Sequence, residues 1–418
     1  MLDAESSRAG EETRDPSRQP HILLGVTSAQ TCLVLTSRVR ALREAGFRVS
    51  LLSAPGELLE GIAQSEHVGA YAIPMERGLS PFADVVAFVR IFRLLTRLSP
   101  EIVEFSTPKA GLLGSVAACL CRIPTRIYLL RGLKLETARG LKRWLLLSAE
   151  RIASSCAHTV LCNSRSLRAR ALALGIAPAS KLVVLGEGSS NGVDLSRFAP
   201  GPSLARQKLG IPREARVIGF VGRLTADKGL PELLEAFAAI LGREPRAYLL
   251  LVGWFDAAED ALDVGMRARI EGHPRIICTG FVADTAPYYS AMDLMVLPSW
   301  REGFPNAVLE AAASGVPVIA THCTGSRDAV IPEVTGLLVP PGYPDAICEA
   351  VVGLLRAPDR CRRMSAAARR WVAETYEDRK VLGMAIDFYL NLFRRPGAAE
   401  IETETKQPDP VTGLPVSL

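Results

Sequence analysis

LMVLPSWREGFPNAVLEAAASGVPVIAT, residues 294–321, sets an apolar run, a loop with Gly303 and Pro305, a segment of helical spacing and a second apolar run in immediate succession. Apolar runs without polar alternation, joined by a helix-length crossover, are the pattern of parallel strands buried on both faces. Pro305 suits the first turn of the intervening helix, because its φ is already helical and its missing N–H would have had no partner there. The alternation continues outward in both directions. RVIGFVG from Arg216, AYLLLVG from Ala247, RIICTG from Arg275 and TGLLVP from Thr335 read as further strands of the same sheet. A Gly-, Ser- and Asn-rich segment at 186–192 has turn chemistry and suits a linker. Before it the pattern runs again, with HILLGVT from His21, FRVSLLS from Phe47, EIVEFS from Glu101, TRIYLL from Thr125, HTVLC from His158 and KLVVL from Lys181.

The expected fold is therefore α/β, with two doubly wound parallel-sheet, Rossmann-like domains facing a cleft. The expected divisions are a tail at 1–20, a first domain at 21–190, a second at 191–375, a helix at 376–393 packing back on the first domain, and a second tail at 394–418. Ligands of open α/β sheets bind at the carboxyl ends of the strands, so the chemistry is sought there.

The 418 residues carry 49 Lys and Arg against 44 Asp and Glu, a net +5 too small to imply nucleic acid as a partner. With 48% apolar and 22% charged residues the chain has ordinary globular usage. The longest charge-free stretch, 19–37, contains Pro20, Gly25 and a polar run, so no spanning helix is expected. The first residues mix acids and bases without an apolar run, so no secretory signal is expected. Nine cysteines without a C-x-x-C pair read as reduced, buried thiols.

In FVGRLTADKGLPELLEAF, residues 220–237, an apolar strand ends at Gly222 and an amphipathic helix starts near Gly229. The loop between them presents Arg223 and Lys228 at the cleft. Two cations beside a helix N-terminus suit a diphosphate, and they equally suit an ordinary basic surface loop. In the opening stretch Glu302 lies in the loop and Glu310 about 7 Å along the helix, from the helical rise per residue. Two carboxylates so placed fit a ligand with two hydroxyl-bearing rings bridged by phosphate, the shape of a nucleotide sugar. The alternative is a solvated Glu302 and a Glu310 that merely favours helix. Backbone N–H groups at Gly303 and Phe304 can meet the phosphates between the rings.

PSWREGFPNAVLEAAASGVPVIA with its E-x7-E pair, GRLTADKG, and GSRDAVIPEVTGLLVPPG at 325–342 together resemble the retaining glycosyltransferases of family 4, which have the GT-B fold. The segments at 107–133 and 185–198 resemble the branch that builds capsule, exopolysaccharide and O-antigen units. The resemblance implies that Arg223 and Lys228 hold the nucleotide diphosphate and that Glu310 binds the ribose hydroxyls. It places Glu302 near the donor sugar, with Gly222, Gly303, Phe304, Asn306 and Leu309 in the adjoining donor site. It implies no metal and no cofactor beyond a nucleotide-diphosphate sugar, and neither a D-x-D sugar-nucleotide motif nor a His and Cys cluster with ligand spacing is found.

The chain departs from the wider family in two places. Where many members have a His-Gly segment, LLRGLKLE puts Arg131, which cannot serve as a base at neutral pH and is left to contact phosphate or orient the acceptor. The first loop has Thr27 to Thr31 in place of a Gly-Gly turn. Ser28 and Asn191 join Arg131 as acceptor-side candidates, with a hinge role equally open to the SSN stretch at 189–191. His158 and His322 read as structural imidazoles.

Arg90, Arg93 and Arg97 lie among Phe and Leu, and Lys134, Arg139, Lys142 and Arg143 precede or enter a helix with Trp144 and Leu145. Each reads as an ordinary amphipathic helix or as one resting on an anionic membrane surface. The expected function is sugar transfer from a nucleotide-diphosphate donor, UDP-linked, to a lipid-diphosphate-linked glycan, by an enzyme peripheral at the cytoplasmic face of the plasma membrane. The alternatives are a soluble transferase with a small-molecule acceptor and a catalytically silent GT-B protein that binds a glycan or a partner.

Overall fold

The structure is a computed structural model that describes residues 19–76, 78, 80–201, 204–256 and 260–394. The tails expected at 1–20 and 394–418 lie outside the described residues, apart from Gln19, Pro20 and Arg394. Pro20 belongs to the fold: it is buried, and its carbonyl accepts from Arg48 N at 2.9 Å.

The first sheet comprises β1 (His21–Gly25), β2 (Arg48–Ser53), β3 (Gly69–Ala72), β4 (Ile102–Ser106), β5 (Thr125–Leu130), β6 (Thr159–Cys162) and β7 (Leu182–Val183). All its pairings are parallel, in the order β3-β2-β1-β4-β5-β6-β7. The second comprises β8 (Arg216–Val221), β9 (Ala247–Val252), β10 (Ile276–Cys278), β11 (Leu294–Leu297), β12 (Val318–Thr321) and β13 (Gly336–Val339), also parallel, in the order β10-β9-β8-β11-β12-β13. Strands β1, β4, β11 and β12 are buried along their whole length, which explains the apolar runs of β1, β11 and β12, while β4 interrupts its run with Glu104, buried on Arg38. β3, GAYA, escaped sequence reading because it is short, edge-placed and half exposed. Pro305 stands one place earlier than expected, as the N-cap of helix Asn306–Ala313.

Each sheet reverses its winding once, between β1 and β4 and between β8 and β11. Neighbouring crossovers run to opposite sides at such a switch point, so the loops beyond the strand ends leave a crevice. The loops after β8 and β11 are the two segments that carry Arg223, Lys228 and Glu302.

The chain passes between the sheets twice, and the two passages lie side by side. Val193 N donates to the Tyr376 carbonyl at 2.8 Å and Asp378 N donates to the Val193 carbonyl at 3.1 Å. Beyond that joint, helix Asp378–Arg394 packs on the first sheet, where Ala385, Phe388, Tyr389, Leu392 and Phe393 share a core with residues of β1, β2, β4, β5, β6 and β7. The second sheet has a separate core of its own.

Candidate active site

β8 ends at Val221, and the loop beyond it closes in a single 3-10 turn, Ala226–Lys228. Gly229 follows with φ +75°, and its Cα sits so close to the Pro298 carbonyl that any Cβ would overlap it. A glycine at this position is what allows the loop after β8 to touch the loop after β11. Contact then becomes bonding: Trp300 N donates to the Asp227 carbonyl at 3.0 Å, and Arg301 Nη2 lies 2.7 Å from Asp227 Oδ2.

Asp227 is the brace of this junction. Its carboxylate is buried, accepts from Thr225 Oγ1 at 2.6 Å and also faces Arg223 Nη2 at 3.8 Å. Burial by itself would raise its pKa, but Arg301, the Thr225 hydroxyl, Lys228 and Arg223 together hold it below the usual carboxylate range. Arg223 also pairs with Asp256 at 3.0 Å. Lys228 Nζ meets Glu302 Oε1 at 2.5 Å, and Ser299 Oγ donates to the same oxygen at 2.7 Å. Arg223, Lys228 and Glu302 thus belong to one connected array at the switch point. Asp227, Asp256 and Arg301 were missed by sequence reading, although Asp227 and Arg301 stand inside the motifs quoted for it.

Glu310 is held separately, on helix Asn306–Ala313. Tyr289, fully buried, donates its hydroxyl to Glu310 Oε2 at 2.7 Å, and Thr285 Oγ1 lies 3.4 Å from the same oxygen. Burial raises the Glu310 pKa, with Tyr289 and Arg197 opposing it. Both bonds fall on one oxygen, so the carboxylate is oriented by its own domain while keeping acceptor capacity on the other. Leu309, expected in the donor site, is 0% exposed in the second core, so its side chain cannot line the cleft. Gly222 and Asn306 are half buried at the ends of their loops.

Across the seam, Gly303 stacks backbone to backbone on Arg131 and Gly132, with no room for a Cβ at residue 303. Phe304 is buried against Tyr376, ring centroids 5.2 Å apart. Arg131 donates from Nε to Ser106 Oγ at 3.2 Å and from Nη1 to Ser190 Oγ at 3.5 Å, while its buried Nη2 has no partner among the described residues. Burial, then Arg38, lowers its pKa to about 10, with Glu104 and Tyr389 opposing, so it remains a cation at neutral pH. Arg38 itself is buried on Glu104 at 2.9 Å, and Tyr389 donates to the same carboxylate, tying the returning helix into the floor of the first domain. Ser28 is buried in the first loop, its hydroxyl on the Gln30 side chain. Asn191 differs from expectation: it is buried and its amide donates to the Val34 carbonyl, so it fastens the joint instead of facing the acceptor side.

Further bonds cross between the domains. Thr324 Oγ1 donates to Glu136 at 2.8 Å, Arg301 Nε to Thr137 Oγ1 at 3.2 Å, and Ser166 N to Asp328 Oδ1 at 3.0 Å. Among the described residues no three His, Cys, Asp or Glu side chains gather into a metal-holding cluster.

Two family models match, glycosyl transferases group 1 over residues 215–357 and the glycosyl transferase 4-like domain over residues 34–188. The capsular polysaccharide biosynthesis glycosyltransferase CapM of Staphylococcus aureus is 34% identical over 79% of this chain and 86% of its own length. This chain is a family 4-type glycosyltransferase of the GT-B fold. A second relative of the glycosyltransferase, the UDP-Gal:alpha-D-GlcNAc-diphosphoundecaprenol alpha-1,3-galactosyltransferase of Escherichia coli, is 27% identical over 69% of the chain and 75% of its own length. Among solved structures, HepE of Anabaena in complex with UDP and glucose aligns with a TM-score of 0.75 at 19% identity, covering 90% of the chain and 100% of HepE. Sucrose-phosphate synthase of Thermosynechococcus elongatus aligns with a TM-score of 0.73 at 22% identity, over 90% and 99% respectively. These two likenesses show the fold.

The glycosyltransferase carries its basic helices on the first domain. Helices Pro81–Leu98 and Gly140–Cys156 flank helix Pro108–Leu120. They leave Phe82, Val85, Leu141 and Trp144 exposed, Phe82 to 85%. Arg90, Arg93, Arg97, Arg139 and Lys142 are exposed on the same helices or at their start, and Lys134 and Arg143 are half buried. No helix among the described residues is long and apolar enough to cross a membrane. His158 accepts from Arg126 N at 3.3 Å, and burial, with nearby Arg126 and Lys181, lowers its pKa to about 4, as suits a neutral structural imidazole.

Proposed function

We propose that the glycosyltransferase moves a sugar from a UDP-type nucleotide-diphosphate sugar to a lipid-diphosphate-linked glycan in surface polysaccharide synthesis, with retention at the anomeric carbon and without a metal. The observation that carries the reading is the array at the second switch point, where Arg223 and Lys228 are held by loops fixed to each other through Asp227. As the glycosidic bond breaks, negative charge grows on the departing diphosphate. Cations fixed beforehand stabilise that charge without reorganising at the moment of reaction. The departing phosphate oxygen takes the acceptor hydroxyl's proton on the same face, so no protein base is required. Glu310 accepts from the ribose hydroxyls, and Glu302, released from Lys228 in part by the diphosphate, accepts from the donor sugar. Arg131, across the seam, contributes a fixed cation on the acceptor side.

The lipid-linked acceptor is supported by the name of the Escherichia coli relative and by the first domain's surface. Exposed Phe82, Leu141 and Trp144 beside basic side chains suit an anionic bilayer surface at the cytoplasmic face, with aromatic rings at headgroup depth and cations on the lipid phosphates. The test is release of nucleotide diphosphate across a panel of UDP-, GDP- and dTDP-sugars, with and without lipid extract. One UDP-sugar should be turned over by the wild type, and Arg223→Ala should lower its kcat about 100-fold. Full turnover by Arg223→Ala, or turnover only with added divalent metal, overturns the reading.

A further inference from the structure

Past β12 the chain makes a single 3-10 turn, Ser326–Asp328, that meets the first domain. Helix Arg165–Ala173 begins opposite it, capped by Ser164, whose hydroxyl accepts from Leu167 N at 3.2 Å. That cap leaves the Ser166 N–H to find another partner, and the partner comes from the other domain. Ser166 N donates to Asp328 Oδ1 at 3.0 Å, and the Ser166 hydroxyl donates to Asp328 Oδ2. The same hydroxyl accepts from Gly325 N at 2.8 Å, so this buried side chain is satisfied in both directions across the seam. A carboxylate so placed also meets the positive end of the helix. Thr324 adds a second grip, because Glu136, to which its hydroxyl donates, is held by Arg170 of the same helix at 3.2 Å.

The other side of 324–328 carries the donor loop. Glu302 N donates to the Thr324 carbonyl at 3.1 Å. Gly325 has φ +82°, and a Cβ there would stand 2.7 Å from the Gly303 carbonyl oxygen and 2.8 Å from that of Glu302, so only glycine lets the two segments lie this close. Phe304, next in the loop, packs on Tyr376, whose hydroxyl reaches the Asp328 carbonyl at 3.5 Å. Glu302 thus hangs from a segment of its own domain that is gripped by the other.

We propose that 324–328 is a latch that sets Glu302 against the donor sugar only while the first domain holds it, with Asp328 and Ser166 as positioning residues for transfer. The inference rests on the reading of the enzyme as a nucleotide-sugar transferase. It adds how the first domain, which contributes none of Arg223, Lys228, Glu302 and Glu310, governs the carboxylate at the donor sugar. UDP binding is spared, because Arg223 is held by Asp256 and Glu310 by Tyr289, neither of them in the latch.

Steady-state release of UDP from the UDP-sugar that the wild type turns over, together with UDP binding by calorimetry, tests the latch. Ser166→Ala and Asp328→Ala should each lower kcat about 10–100-fold, with KM and UDP affinity within about threefold of wild type. The double variant should fall no further than the worse single one, since both remove the same contact. Ser166→Thr, which keeps the hydroxyl, should retain most of the rate. If Asp328→Ala does not fold, the comparison of Ser166→Ala with Ser166→Thr carries the test. A contact that only stabilises the fold would lower the melting temperature and leave kcat unchanged at temperatures well below it. That result, additive losses in the double variant, no rescue by Ser166→Thr, or a loss of UDP affinity as large as the loss of kcat each overturns the latch. A wild type that binds no UDP sinks the donor reading itself, and the latch with it.

Discussion

Asp227→Asn isolates the brace beneath the diphosphate cations. The replacement is isosteric and its amide oxygen can still accept from Thr225, but its amide nitrogen turns an N–H donor toward the donors of Arg301, which cannot pair. The Asp227 side chain is 3% exposed and that of Arg301 13%, so the lost pair is a buried one. Breaking a buried pair costs about 3–5 kcal/mol. Arg301 keeps Asp260 at 3.6 Å and Thr137 at 3.2 Å, and Arg223 keeps Asp256, which brings the expected loss to about 2–3 kcal/mol. For a domain of this size that is a fall in melting temperature of about 5–10 °C by calorimetry. With Arg223 and the Arg301 loop loosened together, kcat should fall about 10–100-fold while the donor KM changes less. The pH dependence has a definite sign. The folded carboxyl sits below its unfolded value of 3.8, so its contribution is complete above that value and fades as pH falls through the folded one. Wild-type and variant stabilities should therefore differ at neutral pH and converge in acid. A melting temperature within about 1 °C of wild type at pH 7, with unchanged kcat, refutes the brace.

Glu310→Gln should cost donor binding while stabilising the fold. Burial holds the folded carboxyl above its unfolded value of 4.5, so its ionised form opposes folding at neutral pH and the neutral amide does not. The gain in melting temperature should be present at pH 7 and vanish below the unfolded value, and a variant less stable than wild type at pH 7 contradicts the assignment of burial as the cause. Gly303→Ala must push its Cβ into the Arg131 carbonyl; the expected outcome is a strain of about 1–3 kcal/mol, relieved by separating the domains and read as a larger radius of gyration in small-angle scattering with lower kcat. Phe82→Glu with Trp144→Glu should abolish sedimentation with vesicles containing phosphatidylglycerol while leaving hydrolysis of the donor sugar unchanged; retention on the vesicles would remove the membrane face from the proposal.

The parts of this site legible in the sequence are those set by local pattern. Strand-loop-helix spacing around 220–237 and 294–321 places Arg223, Lys228, Glu302 and Glu310 at strand ends, because buried parallel strands must be apolar on both faces and their helices must follow them. Leu309 shows the limit of that reasoning: a motif supplies the neighbourhood of a site, but helical phase turned this side chain into the core. Asn191 shows another, since a polar residue in a connection bonds whatever the fold brings past it, here the Val34 carbonyl.

The sequence by itself determined two α/β units, a cationic loop and a pair of carboxylates, all of them consequences of neighbours in the chain. Only the tertiary structure decided which charges meet. β8 pairs with β11 across two intervening strands, and that crossover sets Lys228 on Glu302 and Asp227 on Arg301, each pair 74 residues apart. It likewise set Asp328 on Ser166 across the domain seam. Ion pairing and stacking act over a few ångströms of space and are blind to chain distance, so they follow the order of strands in a sheet and the meeting of two sheets, which no local pattern encodes.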